Sequence, residues 1–185
     1  AAFSSISMDH MAFLGNTLQE IAAHKAGIIK PGAEIVSGIQ QPEVSGLLRR
    51  RAGDAEIRVV ERERLSRIKC GLERQRFDYV SDSGILYRHL EISLAGLTQP
   101  ENAALAVEIM EALGKKGFSV TEKQLRDGLG AAKWGYRFEI AARKPYFILD
   151  GAHNEDAAKR LAESIRFYFT NKKILYIMGM LKDKE

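Results

Sequence analysis

Around residue 150 the chain changes its period. Tyr146, Phe147, Ile148 and Leu149 form a continuous apolar run and read as a strand. Asp150-Gly151-Ala152-His153-Asn154 interrupts it, and Ala158, Leu161, Ala162, Ile165, Tyr168 and Phe169 then recur at helical spacing. Asn154 offers a side-chain oxygen to the first N–H groups of that helix. A second apolar run at 174–178 reads as another strand. Strand, capped helix and strand in succession indicate a βαβ unit and an α/β fold. Such sheets bind ligands at the carboxyl ends of their strands, where Asp150 and His153 fall. Asp150 can there accept hydrogen bonds from a ribose, and a His opening the helix can meet an anion beside the free N–H groups. The same residues serve equally well to shape the turn and cap the helix. Spacing alone leaves both roles open.

The rest of the chain extends this pattern. Residues 3–8 read as a strand ending at Asp9-His10. Asn16 with Gln19, and Thr17 with Glu20, are capping pairs. Leu18, Ile21, Ala22 and Lys25 share one face of the helix that follows, which Gly27 and Pro31 end. Strands are expected at 35–36 and 56–60, with a helix at 43–52 between them. From 74 to 94 the pattern is antiparallel: Phe77, Tyr79 and Val80, a turn at 81–84, then Ile85, Leu86 and Tyr87, with Ile92 and Leu94 extending the sheet. Thr98 and Glu101 form a capping box before a helix whose inward face is Ala103, Ala106, Val107, Met110 and Leu113. A shorter helix spans 121–129, and the Gly- and Ala-rich stretch 128–135 reads as a hinge. Strands at 138–142 and 146–149 flank a turn at Lys144-Pro145. There is no internal repeat.

Several residues carry candidate chemistry. His10 is of a type that ligates metals and phosphates, although a single His without a second ligand is more often structural. Lys25 falls on the apolar stripe of its helix. A buried amine tends toward neutrality, and a neutral amine can add to carbon dioxide, giving a carbamate able to hold magnesium. Alternatively, Lys25 in the last turn complements the helix dipole while its stem snorkels. Between 47 and 76 there are ten Lys or Arg against five Asp or Glu. Acidic residues interleave them without any nucleic-acid motif, so a solvated surface is expected. The net charge of +4 suits anionic small molecules. A single cysteine, Cys70, excludes an internal disulfide and a Cys-rich zinc site. With no long apolar run and no signal-like start, the sequence reads as cytoplasmic. There is no GxxxxGK[ST] phosphate loop: Gly114-Lys115 comes nearest, but Ile109 and Lys116 occupy the other key positions. The chain opens without Met on a strand-like run and stops just past another, so it reads as an internal piece of a longer protein.

Read together, four blocks in order resemble the folylpolyglutamate synthase and dihydrofolate synthase family of the Mur ligase superfamily. The first joins Ser5-Ile6-Ser7-Met8-Asp9-His10 to Leu14-Gly15-Asn16-Thr17-Leu18 and to the run from Ile21 through Lys25 to Pro31. The second runs from Gly96 through Pro100-Glu101-Asn102 to Ala106. The third is Arg137-Phe138-Glu139, and the fourth Asp150-Gly151-Ala152-His153-Asn154. Two departures stand out. The family usually has Pro-Gly before the Arg, where this chain has Gly135-Tyr136, and Pro after the Asn, where it has Glu155.

The resemblance implies an α/β fold. Residues 1–132 would be part of an ATP-binding central domain, a parallel sheet with helices plus a small antiparallel sheet. Residues 133–185 would begin a Rossmann-like carboxy-terminal glutamate-ligase domain. It implies ligation of L-glutamate to folate or dihydropteroate through an acyl phosphate, using ATP and Mg2+. His10 matches the family's magnesium-binding His, and Lys25 the Lys carbamylated in many members. Asn102, Arg137 and Asp150 match positions that contact ATP, and His153 one near the transferred phosphoryl and the incoming glutamate. A monomer that binds neither nucleic acid nor membrane is expected, inactive as this piece alone. Cell-wall Mur ligation and a non-catalytic binding module are the competing expectations.

Overall fold

The computed structural model describes residues 1–179. Three strands, β1 (Ala2–Phe3), β2 (Ile35–Ser37) and β3 (Ile57–Val59), form a parallel sheet in that order. The connections pass through a short helix α1 (Met11–Leu14), α2 (Leu18–Ala26) and α3 (Pro42–Ala52), as parallel pairing requires. The strand expected at 3–8 stops at Phe3. Gln40 accounts for this: its Oε1 accepts from Ile6 N at 2.8 Å and its Nε2 donates to Ser4 O at 2.7 Å. A side chain thus takes the place of a neighbouring strand. Of the two capping pairs, Thr17 and Glu20 form the box. Thr17 accepts from Glu20 N, and the Glu20 carboxylate accepts from Thr17 N and Asn16 N.

Adjacent residues of β2 face opposite cores, as a period of two dictates. Ile35 packs with Phe3, Ile21, Val44 and Leu48 under α2 and α3. Val36 faces α4 (Gln99–Lys115) and a second layer beyond it. That layer is an antiparallel sheet of β4 (Leu65–Cys70), β5 (Gln75–Val80) and β6 (Leu86–Ile92). The hairpin between β5 and β6 is where the sequence puts it. The β4 strand has no apolar alternation to announce it: only Leu65 is buried, and backbone pairing with β5 holds the rest. Because α4 lies between two sheets, its buried residues do not form one stripe. Ala103, Ala104, Leu105, Val107, Glu108 and Ala112 are buried, whereas Leu113, expected inside, is exposed. Thr98 does not cap α4, since its backbone is already helical (φ −86°, ψ −8°) and its side chain accepts no capping bond.

Helix α5 (Glu122–Ala131) packs on β6 and runs through Gly128 and Gly130, so the irregular connection begins at 132 rather than 128. A capping box of Thr121 and Gln124 starts this helix. The chain then forms a hairpin, β7 (Glu139–Arg143) and β8 (Tyr146–Leu149), and helix α6 (Glu155–Tyr168). Asn154 caps α6, accepting from Ala157 N at 2.9 Å. Among the described residues β8 pairs only with β7. Tyr146 and Phe147 are half exposed. Residues 174–178, expected as a strand, are extended and exposed without a pairing partner among the described residues. Ala158, expected inward on α6, is exposed.

A polar cluster ties the layers together. Glu108 on α4 is fully buried and accepts from Tyr79 O–H and Asp82 N, both at 2.7 Å. Arg58 on β3, also buried, lies 3.5 Å from Glu108 Oε2 and 3.2 Å from Glu111 Oε2. Glu111 in turn accepts from Tyr87 O–H and Ser83 O–H. Burial first, then the hydrogen bonds to Glu108 and Glu111, push both tyrosine hydroxyls well above their ordinary value. Removing one member of a buried ion pair strands the other, at a cost of about 3–5 kcal/mol. Glu108→Ala should lower the unfolding free energy in urea by that amount. Glu108→Gln, which keeps an acceptor for Tyr79 and Asp82, should lower it by only about 1–3 kcal/mol. Equal losses would mean that the carboxylate's acceptor role is unimportant.

The turn into β7 is strained. Tyr136 and Phe138 have φ of 59° and 48°, a region costing an ordinary residue about 1–2 kcal/mol. Glycine is the residue that adopts this conformation freely. Gly151 N donates to Tyr136 O at 2.8 Å, and Glu139 Oε2 accepts from Tyr136 N at 2.9 Å. Since the Tyr136 side chain is exposed, Tyr136→Gly should raise stability by about 0.5–1 kcal/mol, read as a higher urea midpoint. A lower midpoint would show that the ring contributes more than the backbone strain costs.

Candidate functional site

The carboxyl end of β8 opens into a cleft of about 100 Å³. One wall is the segment before α4, with Ala95, Gly96, Thr98 and Gln99. The floor is Arg137, Phe138 and Asp150, and the far wall is α6 through Ala157, Arg160, Leu161 and Ser164. Those four positions of α6 lie at i, i+3, i+4 and i+7, one helix face. Two of them are polar, so the apolar stripe read from the sequence missed this face. Ser164 is buried and its hydroxyl accepts from Leu97 N at 3.2 Å. Gln75, also fully buried, donates to both Leu94 O and Gly96 O and so holds the first wall.

Asp150 shapes the turn and also lines the cleft. Its Oδ1 accepts from Ala152 N and its Oδ2 from Phe138 N, each at 2.8 Å. These bonds shape the turn, yet the carboxylate still borders the cleft with lone pairs to spare. Arg137 lies between the two strained residues and reaches the same cleft. Phe138 is buried against Tyr168, with ring centroids 5.4 Å apart. Burial, and then the neighbouring Cys70, push the Tyr168 hydroxyl up to about 12. Arg143 on β7 pairs with Glu73 in the turn between β4 and β5, a further tie between the hairpin and the antiparallel sheet.

His153 lies outside this cleft, at the start of α6. Its Nδ1 is 2.8 Å from Gly151 O and its Nε2 3.3 Å from Asp9 Oδ2. The loop after β8 is thus joined to the loop after β1 across 144 positions of sequence. Partial burial raises the affinity of Asp9 for its proton. The backbone N–H of His10, the His153 and Asn154 side chains and the charge of His10 outweigh that and hold the carboxyl below its ordinary value. Asp9 was read only as the end of a strand. An acid directly before a candidate ligand His was the available signal.

The remaining candidates are less tightly placed. His10 is exposed in a left-handed backbone conformation at the start of α1, beyond rather than at the end of β1, and its Nε2 is 3.6 Å from Asp9 Oδ2. Lys25 is half buried at the margin of the α2 stripe, where Ala26 is the residue fully inside. Among the described residues no hydrogen bond or ion pair joins Lys25 to His10, and no group of three or more His, Cys, Asp or Glu is disposed to hold a metal. Asn102 is exposed on the first turn of α4 and donates to Gln99 Oε1 at 3.1 Å. Gln99 itself lines the cleft, so Asn102 reaches it through a neighbour. In the basic stretch, Arg58, Arg62, Arg64, Arg67, Arg74 and Arg76 all pair with acids. These pairs offset part of the positive charge, while Arg49, Arg50 and Arg51 are exposed in the last turn of α3. No helix among the described residues is long and apolar enough to cross a membrane.

Comparisons with known proteins align with this geometry. A sequence profile of the Mur ligase glutamate ligase domain matches residues 136–185. The chain is 36% identical over 191 residues to the dihydrofolate synthase/folylpolyglutamate synthase of Bacillus subtilis (strain 168), covering 98% of this chain and 43% of that protein. It is 31% identical over 189 residues to the folylpolyglutamate synthase of Lacticaseibacillus casei, covering 100% of this chain and 44% of that protein. A solved FPGS–AMPPCP–folate complex superposes with a TM-score of 0.86 at 29% identity, over 92% of this chain and 42% of the other. The chain therefore spans somewhat under half the length of the curated relatives it matches. Sequence likeness along nearly all of its residues, the same fold, and the four motif blocks together lead to one conclusion: the chain belongs to the folylpolyglutamate synthase and dihydrofolate synthase family of Mur ligases.

Proposed function

We propose that the protein to which these residues belong is an ATP-dependent ligase that adds L-glutamate to folate, and to dihydropteroate as a second acceptor. ATP phosphorylates the acceptor carboxylate, and the glutamate amine displaces phosphate from the resulting acyl phosphate. The observation that carries this reading is the 3.3 Å approach of His153 to Asp9. It sets the loop bearing His10 beside the loop bearing Asp150, each from a different half of the chain. In this reading 1–132 is part of the ATP-binding central domain and 133–185 the start of the glutamate-ligase domain. The protein acts as a cytoplasmic monomer, apart from nucleic acid and membrane.

The cleft suits part of a nucleotide. At about 100 Å³ it is smaller than the roughly 300–1,000 Å³ of sites that enclose a whole ligand. Its polar lining of Thr98, Gln99, Arg137, Asp150 and Arg160 matches a ribose and a phosphate. Asp150 accepts from ribose hydroxyls, Arg137 meets phosphate oxygens, and Asn102 acts beside Gln99. His153 lies where an anion can meet the free N–H groups of α6. His10 and a carbamate on Lys25 would be the two residues of this chain to hold magnesium. Magnesium, when bound, offsets charge on the transferring phosphoryl group. Lys25, which would carry that carbamate, is half buried on α2.

The test uses the full-length protein. ADP release should require both L-glutamate and folate or dihydropteroate, and Arg137→Ala should raise KM for ATP by about 10- to 100-fold, the loss of a charge-assisted contact. The 185-residue chain alone should show no turnover. ADP release indifferent to both acceptors, or supported only by a nucleotide-linked cell-wall precursor, would overturn the assignment.

A further inference from the structure

Asp9 is the residue of this region that none of the motif-derived roles includes. Its side chain is only 16% exposed, although its neighbours His10 and His153 are 59% and 47% exposed. Its oxygens meet groups from both loops. Oδ1 accepts from the backbone N–H of His10 at 2.9 Å, and Oδ2 lies 3.3 Å from His153 Nε2 and 3.6 Å from His10 Nε2. Asn154, whose Oδ1 caps α6, also reaches Asp9 through its side chain. On its other edge the His153 ring meets Gly151 O at 2.8 Å. An oxygen thus lies beside each ring nitrogen, one from its own loop and one from the other half of the chain, and the nitrogen that carries the proton donates. Remove the Gly151 contact and Asp9 still fixes the ring. Remove Asp9, and nothing else among the described residues sets its tilt toward the loop after β1.

We propose that Asp9 is a positioning residue: its carboxylate orients the His153 imidazole and registers the 150–154 loop against His10. This rests on the ligase reading for its catalytic consequence, though not for the contact itself. Fixing a functional imidazole through a carboxylate on its far nitrogen is a general device, and losing such a partner costs about 10- to 100-fold in function. Arg137 and Asp150, by contrast, are set by backbone bonds within 136–152 and by Phe138 packing, so they should not respond to Asp9.

The experiment has two arms. In the 185-residue chain, ring nitrogen and Hε1 NMR signals of His153 are compared among the parent, Asp9→Asn and Asp9→Glu. Asp9→Asn should move the His153 ring signals while the amide signals of Phe138 and Ala152 stay in place. Asp9→Glu should restore part of the shift. Unchanged His153 signals in Asp9→Asn would overturn the proposal. In the full-length protein, Asp9→Ala should lower kcat by about 10- to 100-fold with KM for ATP nearly unchanged, and should add little to the loss caused by His153→Ala. Full additivity on the His153→Ala background would mean that Asp9 acts through something other than His153, and would overturn it as well. If the full-length protein shows no glutamate-dependent ATP hydrolysis at all, the function fails, while the NMR arm still decides the positioning role.

Discussion

The first half of this structure depends on one helix packed between two sheets. Helix α4 runs between a parallel and an antiparallel sheet, and it carries a carboxylate into that interior. Glu108 is tolerated there because Tyr79, Asp82 and Arg58 meet it from both sides, since a buried charge without such partners is among the costliest features a fold can have. The cluster also fixes register. Arg58 comes from the outer strand of one sheet and the tyrosines from the other, so neither sheet can slide along α4 without stranding a polar group. Apolar contacts alone would define that register less sharply.

From that frame the site follows. The segment before α4 forms one wall of the cleft, held by Gln75 and by Ser164. The hairpin and α6 form the others, seated by Phe138 on Tyr168 and by Arg143 on Glu73. The contact between Asp9 and His153 lies at the other end of the 150–154 loop. Two short loops, each anchored in its own half, thus meet through His153 and Asp9.

Much of the fold was legible because local signals and tertiary packing agreed. The β5–β6 hairpin, α2, α3 and the Asn154 cap follow directly from alternation, helical spacing and capping residues. Where the sequence misled, a long-range contact had overridden the local one. Gln40 ends β1 early, and enclosure of α4 on two sides erases its single stripe. Backbone pairing creates β4 without alternation, and α5 runs through two glycines. The site was legible in identity and not in geometry. Asp150 and His153 stood out as a strand-to-helix turn, whereas Asp9 and Gln75 are defined by partners far away in sequence, which no local pattern records.

The clamp on Asp150 has one more consequence. With a backbone amide on each oxygen, the carboxylate is held in place. On the proposed reading a ribose hydroxyl would meet an acceptor whose ordering entropy was already surrendered when the turn folded. Discrimination would then rest on direction, because a clamped acceptor cannot swing to meet a hydroxyl that arrives off-axis.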